Sequence, residues 1–549
     1  MPVIRLSLEK LTGLTGLTSH ELKDTLFRLK CESEEVEPGI LEVEVNPDRP
    51  DMLITEGLVR AVNGLTGEET GYPGYPVVGT DYTVELGNLG ARKYIAVGVV
   101  ENVNVDEEYL EELIQFQEKL HVTFGRKRRK AAIGFHDLSK LPCNRLEYTY
   151  IDPSKTRFRP LHWDREMTGL EVLRETEQGK LYGNINLEQG QHPFLLACGE
   201  VIAMPPVINS DITRVEPGTH SLLIDVTGPD KWTVMKLLDI ITVNLADREG
   251  AKIGRVKVLS RGKETVTPLL EEEKVELNPD YTQRILGLEI PVQEQAEILE
   301  RMRYNAVASE SKLTVTVPPY RVDILGEIDL VEDIAIAYGY DNIPLKTTWT
   351  VMRGELSDRT VFAREISDIL IGGGFVEVMQ LALVGPTILA GKWDPGTLVE
   401  IGNPVMAEYS ILRPSLIPGL IQVARANISA SKPIKAFEIG PVVYKDNVVV
   451  KESWRLGLLY MDDEASYEQL QAVVYKVLRL LGTEPGAAES RHPYLIEGRT
   501  GRIYANNVEI GFLGEARPDV LLEFGVEYPT VLAEVDLDKL MEVAGWIGS

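Results

Sequence analysis

The feature that most constrains this chain is an internal repeat. Residues 41–59, L-E-V-E-V-N-P-D-R-P-D-M-L-I-T-E-G-L-V, align without a gap on residues 313–331, L-T-V-T-V-P-P-Y-R-V-D-I-L-G-E-I-D-L-V, at a constant offset of 272 residues, as from Asp51 to Asp323. Identities fall at Leu41/Leu313, Val43/Val315, Val45/Val317, Pro47/Pro319, Arg49/Arg321, Asp51/Asp323, Leu53/Leu325, Leu58/Leu330 and Val59/Val331. Apolar residues at every second position predict a strand, the prolines a turn, and the apolar spacing beyond them a helix. A unit met twice in this way is one supersecondary module used twice.

The two copies part company in charge. In the second, Asp323, Glu327, Asp329, Glu332 and Asp333 crowd into eleven residues, where the first has Asp51, Thr55, Gly57, Arg60 and Ala61. On a helix, Asp329, Glu332 and Asp333 stand at i, i+3 and i+4, so three carboxylates share one patch. Like charges so placed destabilise a helix unless a cation sits among them, and an all-oxygen set suits a hard ion such as Mg2+. Asp323, Asp329, Glu332 and Asp333 are the candidate ligands. The competing reading is a solvated acidic face at a helix N-terminus, where the macrodipole favours carboxylates. Asp51, without the other acids, is expected to cap a turn.

At 549 residues the chain has room for several domains. A net charge of −27 argues against nucleic-acid binding over a broad surface, so any RNA contact must be local. Cys31, Cys143 and Cys198 form no C-x-x-C pair, so neither a disulfide framework nor a zinc site is suggested. The opening M-P-V-I-R-L-S-L-E-K-L lacks a signal-like apolar core, and no apolar run reaches membrane-span length. A soluble cytoplasmic protein in a reducing compartment, with no membrane partner, is expected.

Composition and turn signals divide the chain at 1–85, 86–260, 261–345 and 346–549. Expected helices are Ser19 to Leu29, Asp106 to Lys119, Trp232 to Leu245, Val292 to Met302, Phe362 to Leu370 and Leu416 to Ile428. Expected strands include Ile95 to Val100, 222–227 and Lys435 to Tyr444. Arg126, Lys127, Arg128, Arg129 and Lys130 form a basic run, either a solvated loop or a phosphate-contacting patch.

N-P-D-R-P-D near residue 50, P-P-V-I-N-S followed by I-D-V-T-G, the acidic motif, and the paired segments N-P-x-x-x-x-Y-S-x-L-R-x-S-L-x-P-G-L and F-E-I-G occur in one order. Together they resemble the β subunit of phenylalanyl-tRNA synthetase, and the shortness of the chain resembles the archaeal type. The resemblance spans essentially the whole sequence. It implies a multidomain α+β fold: a B1-like domain at 1–85, a β-rich B3/B4-like tRNA-editing domain at 86–260, a B5-like domain with the acidic metal site at 261–345, and a catalytically silent class II synthetase-like antiparallel-sheet domain at 346–549.

The resemblance also implies a catalytic α subunit as partner in an α2β2 heterotetramer, tRNA but no DNA, and ATP-dependent attachment of phenylalanine to tRNA by the complex. In this chain the nucleotide-holding arginines of a class II site are missing. No arginine stands two residues before Glu438, no G-x-G-x-x-R follows the last strand, and Arg413 and Arg517 read as local ion pairs. For hydrolysis of mischarged Tyr-tRNA the carried-over residues are Asn209, Ser210, Asp225 and Thr227. Asp225 and Thr227, two apart on a strand, face one side and are able to share a ligand or water. Asn-Ser after Pro-Pro is also ordinary turn chemistry. His136, in G-F-H-D-L, and His192, in Q-H-P-F, each have a reading as polar groups of the editing site, but a lone histidine among apolar residues is more often structural.

A structural and tRNA-binding subunit without hydrolytic activity is the alternative, and a self-sufficient synthetase is disfavoured by the absent arginines. The Phe362 to Leu370 helix, the Gly372–Phe375 turn and the Leu416 to Ile428 helix are expected to expose apolar surface to the α chain, with Phe375 at the contact.

Overall fold

The computed structural model describes residues 1–260, 262–309, 312–347, 353–389 and 391–546. Two compact units divide between Thr347 and Thr348, and the first residues of the second unit, 348–352, lie outside the described residues.

In the first unit the repeat is a larger module than the aligned segment shows. The first copy runs strand Val3–Ser7, helices Leu8–Thr15 and Ser19–Arg28, strands Glu32–Glu37 and Ile40–Glu44, and helix Thr55–Thr66. The second runs Glu273–Leu277, Pro279–Leu286, Val292–Arg301, Asn305–Ala308, Leu313–Val317 and Glu327–Tyr338. The strand that precedes the proline turn is central in both three-stranded antiparallel sheets. Its inward residues, Leu41 and Val43 in one copy and Leu313 and Val315 in the other, are buried because alternate side chains face the helices. The Ser19–Arg28 helix is capped by Thr18, with Glu21 closing a capping box.

The two copies pack in one core, and the contact is nearly reciprocal. The Arg60 guanidinium lies 3.9 Å over the Tyr320 ring. The positions equivalent to these, Glu332 and Asp48, are joined through Lys30, whose Nζ is 2.9 Å from Glu332 and 3.3 Å from Asp48.

Between the copies in sequence lies a ten-stranded sheet. Its order is Ile208–Asn209, Glu200–Met204, His192–Ala197, Arg145–Ile151, Val77–Leu86, Lys252–Ser260, Tyr94–Glu101, Leu222–Gly228 and Ala132–Asp137, with Lys263–Thr267 also on Lys252–Ser260. This sheet begins at Val77 and ends at Thr267, so it overruns the expected 86–260 at both ends. The Gly71–Pro76 turn is the break, and the chain enters its first strand directly after Pro76. The apolar helix Lys231–Ala246 packs on Tyr94–Glu101 and Leu222–Gly228.

Pairing of Leu146 with Ala197 brings Cys143 and Cys198 to the same end of adjacent strands, where they form a disulfide with Cα atoms 6.0 Å apart. The expectation of three free thiols is therefore corrected, and only the buried Cys31 remains free. A separation of 55 residues gives no sequence signal, because strand pairing and not spacing sets the proximity.

The second unit is built on a seven-stranded sheet in the order Val376–Glu377, Ile434–Asp446, Val449–Met461, Thr530–Asp536, Val508–Ala516, Leu495–Ala505 and Pro485–Glu489. All pairs are antiparallel except the first. One face is covered by helices Asp358–Gly372, Tyr467–Leu480 and Leu537–Val543, the other by Ile417–Ala426 and Pro518–Phe524. Phe362, Ile366, Leu370, Phe375, Leu416, Leu420 and Ile421 are all buried in these two cores. The expected apolar contact surface is thus not there, since those residues pack on their own sheet. Exposed apolar residues of this unit include Ile371, Val376, Met379 and Leu381. Among the described residues, no helix is long and apolar enough to cross a membrane.

Candidate functional site

A cavity of about 500 Å3 opens beside the edge strand Ala132–Asp137. Its walls come from the helix Glu107–Val122 (Gln117, Glu118), the strand residues Ile133 and Gly134, the loop residues His162 and Trp163, Tyr182, and the segment Pro205–Asn209. Asp225 stands at its inner end, 1% exposed.

The position of Asp225 follows from the sheet. It pairs across to Gly134, and its carboxylate leans over that residue. A Cβ at position 134 would lie 2.1 Å from Asp225 Oδ1 and 3.0 Å from His136 Nε2, so only glycine leaves room there. His136, fully buried, holds the same carboxylate oxygen through Nε2 at 2.9 Å, and its Nδ1 is 2.7 Å from Thr213 Oγ1. The ring is fixed on both sides, and the Thr213 hydroxyl is placed to donate to Nδ1 while Nε2–H donates to Asp225. A carboxylate so oriented is able to accept a hydrogen bond from a water or amino group in the cavity.

Of the sequence candidates, the structure brings Asn209 and Asp225 to this cavity. Asn209 Nδ2 donates to Phe135 O at 3.1 Å. Ser210 faces an adjoining cavity of about 120 Å3, which it shares with Asn209, His162 and Thr213, and its Oγ donates to Arg159 O at 3.2 Å. Among the described residues Ser210 makes no hydrogen bond to an imidazole, and its hydroxyl is spent on Arg159 O, so it is not built as a nucleophile.

Thr227 lies off the cavity. It is fully buried, its Oγ1 accepts from Arg92 Nε at 2.9 Å, and its carbonyl accepts from Arg92 Nη2 at 2.7 Å. The expectation that Asp225 and Thr227 share a ligand is replaced by two layers: Asp225 at the surface of the site, Thr227 and Arg92 beneath it. Arg92 is 0% exposed, and among the described residues it enters no salt bridge; burial pushes its pKa down to about 10. Nothing in the sequence around Arg92 marks it.

The cavity mouth carries a second network. The central cation of the basic run, Arg128, turns inward: Nη2 donates to Glu118 Oε1 at 2.6 Å, Nη1 to the carbonyls of Pro206 and Val207 at 3.1 and 3.0 Å, and the guanidinium lies 4.4 Å from the centre of the Tyr182 ring. Ile133 N–H donates to His121 Nε2, which puts the proton on Nδ1, where it meets Glu118 Oε1 at 3.0 Å. Burial acts to raise the Glu118 carboxyl, but the hydrogen bond from His121 and the Arg128 charge outweigh it and hold it down to about 2. His192, also buried, packs edge-on against Phe194 and not on the cavity.

The acidic cluster of the second copy is disposed differently from the sequence picture. Asp323 takes both ends of the Arg321 fork, at 2.9 and 2.7 Å, and Arg321 also reaches Asp333 at 2.6 Å. Asp333 also accepts a short bond from Tyr304. Asp329 Oδ2 accepts from the N–H groups of Leu325 and Gly326 at the start of the helix, and Glu332 pairs with Lys30. Among the described residues, no group of three or more His, Cys, Asp or Glu is placed to share one ion. As arranged, the four carboxylates do not fit a common Mg2+, and the protein's own cations meet much of the crowding.

Asp51 repeats the Arg–Asp clamp of the second copy. Arg49 holds it through two bonds of 2.9 Å, so it is an ion-pair partner and not a turn cap. In the second unit Arg413 is bound to Glu438 at 2.5 Å and Arg517 to Asp519 at 2.8 Å, so both arginines are taken up locally.

Comparison with known proteins gives the family. Residues 275–340 match the tRNA synthetase B5 domain, and residues 343–537 match the phenylalanyl tRNA synthetase beta chain CLM domain. The phenylalanine-tRNA ligase beta subunit of Aeropyrum pernix is 47% identical over 98% of this chain and 99% of its own. That of Sulfurisphaera tokodaii is 40% identical over 99% and 100%. A crystal structure of an N-terminal fragment of the phenylalanyl-tRNA synthetase beta subunit from Pyrococcus horikoshii superposes with a TM-score of 0.59 at 35% identity, covering 62% of this chain and all of the fragment. The chain belongs to the family of phenylalanine-tRNA ligase beta subunits.

Proposed function

We propose that the cavity at Asp225 hydrolyses tRNA mischarged with tyrosine, within a cytoplasmic α2β2 enzyme whose α chain carries out the ATP-dependent attachment of phenylalanine. A site that selects phenylalanine by apolar contact rejects tyrosine poorly, because an added hydroxyl costs little in such a pocket; a second, hydrolytic site supplies the missing discrimination. The observation that carries the reading is the Asp225 carboxylate, held by His136 over Gly134 at the inner end of a cavity of ligand size.

In the reaction a water oxygen attacks the ester carbonyl carbon, the bond to the ribose oxygen breaks, and a proton passes to that oxygen, releasing tyrosine and uncharged tRNA. Asp225 orients the water by accepting its hydrogen bond, His136 fixes Asp225, and Asn209 lines the same cavity. Thr227 and Arg92 support the strand from below, and Ser210 shapes the adjoining recess. The test is Asp225→Ala in the enzyme co-purified with its α chain. Deacylation of Tyr-tRNA should fall by two orders of magnitude or more while Phe-tRNA formation continues. Unchanged deacylation would favour a β chain that only binds tRNA and builds the complex.

The second unit is read as the silent, class II-like half of the enzyme, which packs against α through exposed apolar residues such as Val376 and Met379. Binding of Mg2+ by Asp323, Asp329, Glu332 and Asp333 requires these carboxylates to release Arg321, Lys30 and the Gly326 N–H. The oxygen-only donor set supports it, as does the use of a single oxygen by Asp329 and by Glu332 in their present bonds. Metal analysis of the purified complex with and without Asp329→Asn decides it: a stoichiometric Mg2+ lost in the variant supports the site, and none in either preparation ends it.

A further inference from the structure

We propose that the turn 123–130, together with the exposed face of Trp232, forms a groove that binds single-stranded RNA beside the Asp225 cavity. The choice of RNA as ligand rests on the proposed function; the groove itself rests on three observations.

The first is charge. The chain has 84 acidic and 57 basic side chains, yet among the described residues Lys119, Arg126, Lys127, Arg129 and Lys130 enter no ion pair, while Arg128 between them is bound to Glu118. Asp230 spends its carboxylate on capping the next helix, where the hydroxyl and N–H of Thr233 hold it down and the Lys130 charge adds only a lesser pull. Such a row of uncompensated cations repels itself and gains by meeting a polyanion.

The second is backbone. Arg126, Lys127 and Arg128 have φ of 48, 53 and 63°, three successive left-handed residues without a glycine among them. Each costs roughly 1–2 kcal/mol, and the turn is kept by Gly125 N to Leu120 O at 2.8 Å, Arg128 N to His121 O at 3.2 Å and Lys130 N to Gly125 O at 2.9 Å. Its geometry anchors Arg128 in the cavity mouth and leaves its neighbours outside.

The third is an aromatic floor. The lining of a groove of about 800 Å3 includes Lys119, Phe124, Arg126, Lys130 and Trp232, and the apolar segment 1–3 with Pro47 completes it. Trp232 is 50% exposed, with its ring 5.9 Å from that of Phe124. Aromatic faces flanked by cations bind single strands, since bases stack on the ring while phosphates meet the cations, whereas a duplex hides its base faces. Arg128 belongs to the cavity and Arg126 and Lys130 to the groove, so one turn joins the two. A strand lying in the groove is led toward the site where its charged 3′ end would be hydrolysed.

The test uses the complex of this chain with its α subunit and a 5′-fluorescent single-stranded RNA ending in C-C-A, followed by anisotropy over a salt series. Trp232→Ala should weaken binding by roughly 5- to 150-fold, the range of one lost base stack, and Trp232→Phe should keep most of the affinity. The triple change Lys119→Gln, Arg126→Gln, Lys130→Gln should reduce the slope of log affinity against log salt by about 2, given ~0.7 per phosphate contact for single strands. Wild-type affinity in Trp232→Ala together with a wild-type slope in the triple variant overturns the proposal. So does loss of the α chain from these variants with unchanged RNA affinity in the complex that remains, since the groove would then be a protein interface. The anisotropy does not depend on hydrolysis, so failure of the Asp225 reading and failure of the groove are separate results.

Discussion

The sharpest test of the hydrolytic site adds a single methyl group. In Gly134→Ala the new Cβ would lie 2.1 Å from Asp225 Oδ1, well over 1 Å inside contact distance, and 3.0 Å from His136 Nε2. The strand cannot yield, because its neighbour pairs with it from Leu222↔Asp137 to Thr227↔Ala132. The carboxylate must swing away instead, and its 2.9 Å bond to His136 breaks. A hydrogen bond to a charged group contributes about 1.5–3 kcal/mol, and a displacement near 1 Å in a positioned group costs on the order of 100-fold in rate. Single-turnover deacylation of Tyr-tRNA should therefore slow by roughly 10- to 100-fold in the α/β complex. Phe-tRNA formation should stay close to wild type, and overpacking should lower stability by about 1–3 kcal/mol. Gly134→Ala deacylating at the wild-type rate, with Asp225 shown by crystallography to have moved, would refute the claim that this carboxylate orients the water.

Thr227→Ala removes the acceptor of Arg92 Nε and should destabilise the first unit by about 1–3 kcal/mol in thermal or urea unfolding, while Thr227→Ser restores it; an equal loss of deacylation without loss of stability would instead put Thr227 in the reaction. Burial acts to raise Asp323, but Arg321 overrides it and holds the carboxyl at about 2 against an ordinary 3.8, so its stabilisation is complete above about pH 4 and disappears as pH falls toward 2. That difference corresponds to about 2 kcal/mol, and Asp323→Asn should flatten the acid limb of an unfolding curve by this amount. Phe375→Asp should unfold the second unit rather than weaken a subunit contact, because Phe375 is 3% exposed; Met379→Asp, at 91% exposure, should leave folding intact and lower co-purification with α.

Periodicity makes the elements legible. The helix Lys231–Ala246 and the strands Tyr94–Glu101 and Leu222–Gly228 stand within a residue of where apolar spacing puts them. Asp225 is legible from its motif and strand. The features that escape depend on residues far apart in sequence. His136 reads as an isolated histidine until pairing of Asp225 with Gly134 across the sheet sets it against that carboxylate. Arg92 lies 135 residues from Thr227, and Cys143 is 55 from Cys198. The surroundings of the acidic cluster escape for a related reason: the spacing of its carboxylates along the helix is visible in the sequence, but the guanidinium of Arg321 folding back among them is not. The repeat does hold a clue, because arginine and aspartate recur together as Arg49–Asp51 and Arg321–Asp323, the signature of a clamp.

The pairing of the two copies is, in effect, a homodimer written into one polypeptide. In an isologous dimer of separate chains every change appears twice, once in each half of the contact. Covalent linkage removes that constraint and replaces a concentration-dependent association with a permanent one. One half places Arg60 over Tyr320 while the other places Glu332 on Lys30, so the joint is polarised and not symmetric. Dilution cannot open it, and acidification of the second copy need not be matched by the first.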